Sequence, residues 1–143
     1  MRKKRVLEQA AAIPYRFKKG KLEVLLVTSK SRNHWIVPKG LIESKQSAHD
    51  AARVEAYEEA GIMGTVRGHP LTSFTYEKWG AICRVRVYRM EMTEVLSEWP
   101  ESKFRKRMWV EADKIIFRNI KGYFKEPLRI AVARLKQLLG SAS

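Results

Sequence analysis

Three carboxylates close together, Glu55, Glu58 and Glu59, are the part of this sequence whose types and spacing can do chemistry. Positions i, i+3 and i+4 of a helix share one face, about one turn apart, so a helix here would set the three side chains together. Like charges packed this way raise one another's pKa, and a neutralising cation relieves the repulsion. Hard divalent cations take oxygen ligands, and magnesium works with a few carboxylates plus substrate phosphates, so the cofactor this cluster suits is Mg2+, or Mn2+. Gly40, just ahead of the acidic segment, permits a tight backbone path that would bring the Lys39 carbonyl to the same ion. The plainer reading is a solvated acidic face beside lysines, and the triad alone does not separate the two.

Phosphate recognition needs cations outside the metal shell, and Arg and Lys supply them through charge-assisted bonds. By position the candidates are Lys30, Arg32, Lys39, Arg105 and Lys106, with Arg84 and Arg86 at i, i+2 on one face of a strand. Each alone reads first as solvated surface charge. As a set, in a chain with 29 basic and 15 acidic residues and a net charge of +14, they point to a substrate with many phosphates. Nucleic acid fits the charge too, but no helix-turn-helix signature, zinc site or single-strand stacking motif accompanies it, and the basic residues are spread along the chain. Trp79 or Tyr76 offers a face on which a base could stack, whereas Trp35 and Trp109 sit in apolar strands and read as core. His34 and His49 have no metal-ligand spacing. The single cysteine, Cys83, excludes an internal disulfide and a thiolate zinc cluster and reads as a small core residue.

At 143 residues, 45% hydrophobic and 31% charged, the chain suits one globular domain, taken here as residues 7–140 behind a basic tail at 1–6. The opening segment is too short in apolar residues, and too interrupted by Glu8 and Gln9, for a signal peptide or membrane span, so the expectation is a cytoplasmic protein with no membrane partner. Oligomeric state is not readable.

The elements that must position the acids follow from periodicity and punctuation. Residues 7–16 and 22–29 read as a hairpin around Gly20. HWIVPKG reads as a short strand ending at Pro38. Residues 47–60 read as a helix, with Ser47 as cap, Asp50 in the first turn and Gly61 as stop. Strands are expected at 62–68, 70–80 and 81–92, the last with alternating basic and apolar positions. A loop around Pro100 leads to a short strand at MWV and a helical turn at EADKIIF. Residues 126–139 form a final amphipathic helix with Leu128, Ile130, Ala131, Leu135 and Leu138 on its apolar face and Pro127 in its first turn. The fold class is α/β (α+β), a mixed sheet covered by helices.

The segment GLIESKQSAHDAARVEAYEEAGI, residues 40–62, resembles the Nudix box, G-x5-E-x7-R-E-U-x-E-E-x-G-U with U aliphatic. Gly40, Glu55, Glu58, Glu59, Gly61 and Ile62 match in register and Ala56 takes the first U position. Gln46 stands at the first Glu position and Val54 at the Arg position, whose arginine in the family orients a catalytic glutamate. EVLLVTSKSRNHWIVPKG and WPESKFRKRMW are similar to the strand entering the box and to the late basic run of the diphosphoinositol polyphosphate and diadenosine polyphosphate hydrolase branch, so the resemblance covers roughly residues 7 to 115.

That resemblance implies a Nudix-like α/β/α sandwich and metal-dependent hydrolysis of a diphosphate linkage in a dinucleoside polyphosphate or a diphosphoinositol polyphosphate. It implies Glu55 and Glu59 as metal ligands with the Lys39 carbonyl, and Glu58 as a further ligand or as the base that prepares the water, Glu58 and Glu55 being the catalytic pair. Some relatives use one more acid before the late Trp. Met108, at that position here, is not acidic; Glu98 or Glu101 could substitute, and the sequence selects neither. Two other classes stay open: a weakened Nudix-fold sensor of polyphosphates or nucleotides, and a basic RNA-binding module.

Overall fold

The computed structural model describes residues 3–140, so part of the expected tail, residues 1–2, lies outside the described residues. The remainder of that tail is engaged: the Arg5 carbonyl accepts the Ile82 N–H, and Lys4 pairs with Glu77.

Strand β1 (Val6–Lys18) is the spine. It pairs antiparallel with β2 (Lys21–Thr28), its hairpin partner, and parallel with β6 (Ala81–Val95) along Val6–Tyr15. A mixed sheet results, ordered β3-β2-β1-β6-β5. HWIVPKG does not form one strand. It splits at Pro38 into β3 (Trp35–Ile36) on β2 and β4 (Lys39–Leu41) on β1. Proline has no N–H for a ladder, yet its carbonyl still accepts the Ala12 N–H at 3.0 Å. The two strands expected at 62–68 and 70–80 are one, β5 (Ile62–Lys78), whose register against β6 slips at Met63/Gly64 and at Arg67/Thr72. Pro70 falls inside the second slip, where no ladder bond is required. β7 (Arg107–Glu111) pairs with β2, and residues 112–117 form the expected turn as a 3-10 helix.

Helices cover both faces. α1 (Ala48–Ala60) presents Ala51, Ala52, Ala56 and Ala60 to Ala10, Ala12, Leu25, Val27, Tyr88 and Met90. Small residues on both sides let the helix axis approach the sheet closely. α2 (Lys125–Leu138) covers the other face, with Leu128, Ala131, Val132 and Leu135 against Ile13, Leu26, Val85 and Val87. Its buried set runs i, i+3, i+4, i+7. Val132 therefore belongs to the apolar face, and Leu138, expected there, is 59% exposed. Cys83 is buried and free, as expected. No helix among the described residues is long and apolar enough to cross a membrane.

Candidate active site

α1 is fixed at both ends, and this fixes its acids. The Ser47 side chain accepts the Asp50 N–H at 3.0 Å. At the other end Gly61 takes the left-handed conformation, φ 65°, and a Cβ there would meet Trp99 at 2.9 Å and Arg107 at 2.8 Å. Those two residues lie in the segment 96–107, which closes over the helix end. Trp99 Nε1 donates to the Glu59 carbonyl at 2.9 Å, the Glu101 N–H to that of Glu58 at 3.0 Å, and Arg107 Nη1 to that of Ala60 at 2.7 Å. Carbonyls that a helix end leaves without partners are thus satisfied, one of them by a cation placed well for the helix dipole.

Beside this helix lies a cleft of 420 Å³. Glu55, Glu59 and Glu101 line it with Lys30, Lys39, Lys78, Lys121 and Arg105, and Trp79 and Tyr123 add aromatic faces. Gly40 lets β4 run against the helix: a Cβ at that position would lie 2.3 Å from Glu55 Cδ. The Lys39 N–H donates to Glu59 Oε1 at 3.3 Å. In a strand the N–H and C=O of one residue face the same edge, so the Lys39 carbonyl also faces the acids. Lys39 Nζ donates to the Tyr76 hydroxyl at 2.9 Å, and that hydroxyl donates to Gln9 Oε1 at 2.8 Å. Tyr76 stacks on Tyr123, centroids 4.2 Å apart.

The charges here are strained. Burial pushes the Glu59 carboxyl up to about 8; Arg105 opposes this and Glu55 reinforces it. Burial also raises Glu55, with the charges of Glu58 and Glu101 adding to it. Burial pulls the Lys39 ammonium down to about 8. Among the described residues no three acid, histidine or cysteine side chains converge as a finished metal cage. Glu58 is half-buried and does not line the cleft, so the expected three-way convergence reduces to Glu55 and Glu59 with Glu101 opposite. This donor set still fits a hard divalent ion. Two carboxylates raised by burial and mutual repulsion stand beside a backbone carbonyl, with an open side where phosphate and water can complete the shell.

The expected phosphate ligands divide. Lys30 and Lys39 line the cleft. Arg105 does so too, but it is buried and committed: Nε donates to Glu101 Oε1 at 2.6 Å, Nη1 to the Thr28 carbonyl at 2.8 Å, and Nη2 lies 3.6 Å from Glu59 Oε2. Arg32 is spent on the Lys103 and Phe104 carbonyls, at 2.8 and 3.1 Å. Lys106 is exposed, and its backbone bonds Thr28. Arg84 pairs with Glu8, and neither it nor Arg86 lines the cleft, because alternation along β6 turns those positions to the face of Tyr88 and Met90, away from Cys83 and Tyr76. Sequence reasoning missed Lys78, Lys121 and Tyr123; the available signal was only a lysine beside an aromatic, at Lys78–Trp79 and Lys121–Tyr123. A roomier groove of 590 Å³ near the β1–β2 turn holds Lys21 and Lys136, but Glu111 and Asp113 already neutralise them.

The family profile for the NUDIX domain matches residues 7–129. The chain belongs to the Nudix family. Nudix hydrolase 17, mitochondrial, of Arabidopsis thaliana is 33% identical over 132 residues, which cover 86% of this chain and 72% of that protein. Nudix hydrolase 12, mitochondrial, of the same plant is 33% identical over 71% of this chain and 60% of its own length. Diphosphoinositol polyphosphate phosphohydrolase 2 of Rattus norvegicus is 39% identical over 66% of this chain and 52% of its own length. The chain thus spans between about half and three quarters of these relatives. The fold is shared with the Ap4A hydrolase of C. elegans, TM-score 0.71 at 24% identity over 94% of this chain and 99% of that one. The Nudix fold, a mixed sheet between helices, is therefore present as expected.

Proposed function

We propose that this Nudix domain hydrolyses a diphosphate linkage in a polyphosphorylated small molecule with the help of Mg2+ or Mn2+. One observation carries the reading: a cleft with the helix acids Glu55 and Glu59 on one side and the ammonium groups of Lys30, Lys39, Lys78 and Lys121 around it. Carboxylates and phosphates repel, so a single cleft serves both only through a shared cation.

Glu55, Glu59 and the Lys39 carbonyl would hold the ion, and Glu101 faces it from the loop before β7. A bound divalent ion supplies neutralisation of the charge that develops on phosphate oxygens. The lysines orient the phosphate chain by charge-assisted bonds. Water oxygen bonds to phosphorus, the bridging P–O bond breaks with its electron pair leaving on the departing phosphate, and a carboxylate oxygen of Glu55, which lines the cleft where Glu58 does not, receives the proton. Burial of Lys39 makes its ammonium ready to gain a phosphate partner, since its charge is poorly solvated without one. Trp79, 66% exposed at the cleft, offers a planar face to a base. Stacking contributes about 1–3 kcal/mol per base, which favours dinucleoside polyphosphates over diphosphoinositol polyphosphates.

The test is turnover of diadenosine tetraphosphate, diphosphoinositol phosphates, nucleotide sugars and triphosphorylated RNA with Mg2+. Turnover of a small polyphosphate, abolished by Glu59→Gln in a folded protein, is the expected result. Ligand binding without turnover across the panel makes the domain a sensor, and metal-independent RNA binding alone makes it an RNA module; either outcome refutes the enzyme.

A further inference from the structure

Glu59 has an orientation problem that its own helix does not solve. It is 5% exposed, lies one turn from Glu55, and α1 has no basic residue in its last turn. Arg53 points away and lies 3.8 Å from Asp50. Position 54, where a guanidinium could have come from the helix, is Val54. A buried carboxyl group without a fixed partner is free to swing, and one turned out of the cleft fails a metal.

Among the described residues, Arg105 is the one cation whose side chain lies within ion-pair range of Glu59. Its planar fork is fully committed. One nitrogen faces Glu59, one bonds Glu101 and one bonds the Thr28 carbonyl at the end of β2. Lysine, a point charge on a flexible stem, cannot hold three partners in one plane. The segment that delivers Arg105 is itself pinned: Trp99 and Arg107 hold the end of α1, Lys106 N–H donates to Thr28 Oγ1 at 2.9 Å, and Arg32 holds the Lys103 and Phe104 carbonyls.

We infer that Arg105 is the positioning residue for the metal-facing carboxylate of Glu59. Anchored on Glu101 and on the Thr28 carbonyl, it fixes Glu59 toward the cleft from the loop before β7, a task that the helix leaves undone at Val54. The inference rests on the metal site proposed above and adds that this site is assembled from outside the acidic helix.

The experiment is a double-mutant cycle in Mn2+ affinity, read as free Mn2+ by electron paramagnetic resonance on wild type, R105K, E59Q and R105K/E59Q, with a thermal melt of each. Partners that orient metal ligands contribute roughly 10-fold or more to affinity. R105K is therefore expected to weaken Mn2+ binding about 10-fold, and to change it less than about 2-fold once E59Q is in place, because the effect passes through Glu59. Additive losses, or wild-type affinity in folded R105K, overturn the inference. Absence of Mn2+ binding by wild type overturns the metal site and the inference with it, whereas binding that E59Q weakens and R105K spares overturns the inference alone. Should R105K not fold, the Arg105 Nε–H resonance in wild type serves instead. It is expected to shift on Mg2+ addition and to stay in place in E59Q, and an unmoved wild-type resonance refutes the role.

Discussion

Replacing Gly40 with alanine tests the site by pushing one methyl group into it. The new Cβ would stand 2.3 Å from Glu55 Cδ, 2.4 Å from Oε1 and 2.8 Å from Oε2, where ordinary contact begins at 3.4 Å. The obstacle is the far end of a flexible side chain, so the carboxylate can retreat, by about 1 Å, without moving the backbone. Gly40 is not at positive φ, and alanine is allowed in a strand there. Folding should therefore change little, and the entropy lost by the unfolded chain stabilises by about 0.4–1 kcal/mol, which offsets part of any strain. Catalysis is less forgiving. A misplacement of about 1 Å lowers turnover roughly 100-fold, equivalent to about 2.7 kcal/mol of transition-state stabilisation. The assay is kcat/KM for diadenosine tetraphosphate at saturating Mg2+ beside a thermal melt. Wild-type turnover at an unchanged Tm would show that the Glu55 carboxylate need not sit where the structure puts it. An unfolded protein would show that the glycine serves the backbone instead.

Four further outcomes are expected. Glu55→Gln lowers kcat by about 100-fold or more, the usual contribution of a positioned proton acceptor, while Tm moves by no more than a few degrees; a large melting change with normal turnover refutes the role. Lys121→Met raises KM for a polyphosphate by roughly 10-fold per 1.4 kcal/mol lost, while Arg84→Met, whose partner Glu8 lies off the cleft, leaves KM unchanged; equal effects would refute the boundary of the cleft. Trp79→Ala weakens binding of diadenosine tetraphosphate but not of a diphosphoinositol phosphate, as a competition titration would show. The carboxyl of Glu59 is raised in the fold to about 8 from an ordinary 4.5, so the metal-free fold holds a proton that the unfolded chain releases, and its stability falls as pH rises through that window. Metal binding displaces the proton, so the Tm gain from Mg2+ should be larger near pH 9 than near pH 5 in a scanning melt, and a pH-independent gain would contradict the raised carboxyl.

The helix was readable from sequence because its signals are local: Ser47 caps, Gly61 stops, and the alanines repeat at helical spacing. The β1–β2 hairpin was readable for the same reason. What escaped depended on partners distant in sequence. FRKR reads as a solvated basic run, and nothing local says that Arg105 is buried against Thr28 and Glu59 while its neighbour Lys106 is exposed. Arg84 and Arg86 alternate correctly for a strand, but which flank of the sheet they reach depends on pairing with Glu8 and Ala10. Gly68 and Pro70 look like a break between strands, yet a long partner in β6 carries β5 through them. The lysines at 78 and 121 converge only because the β5–β6 turn and the segment before α2 meet at the mouth of the cleft.

Within this domain β1 is made well before β6, and one whole edge of it waits for that strand, Val6 for Ile82 and Tyr15 for Glu91. Until then the nascent chain carries an open apolar edge running through Ala10, Ala11, Ala12 and Ile13, a template for pairing with another chain. Pairings this far apart close slowly. Synthesis that stalls before residue 82 therefore leaves that edge open, and the arrival of β6 is what closes it.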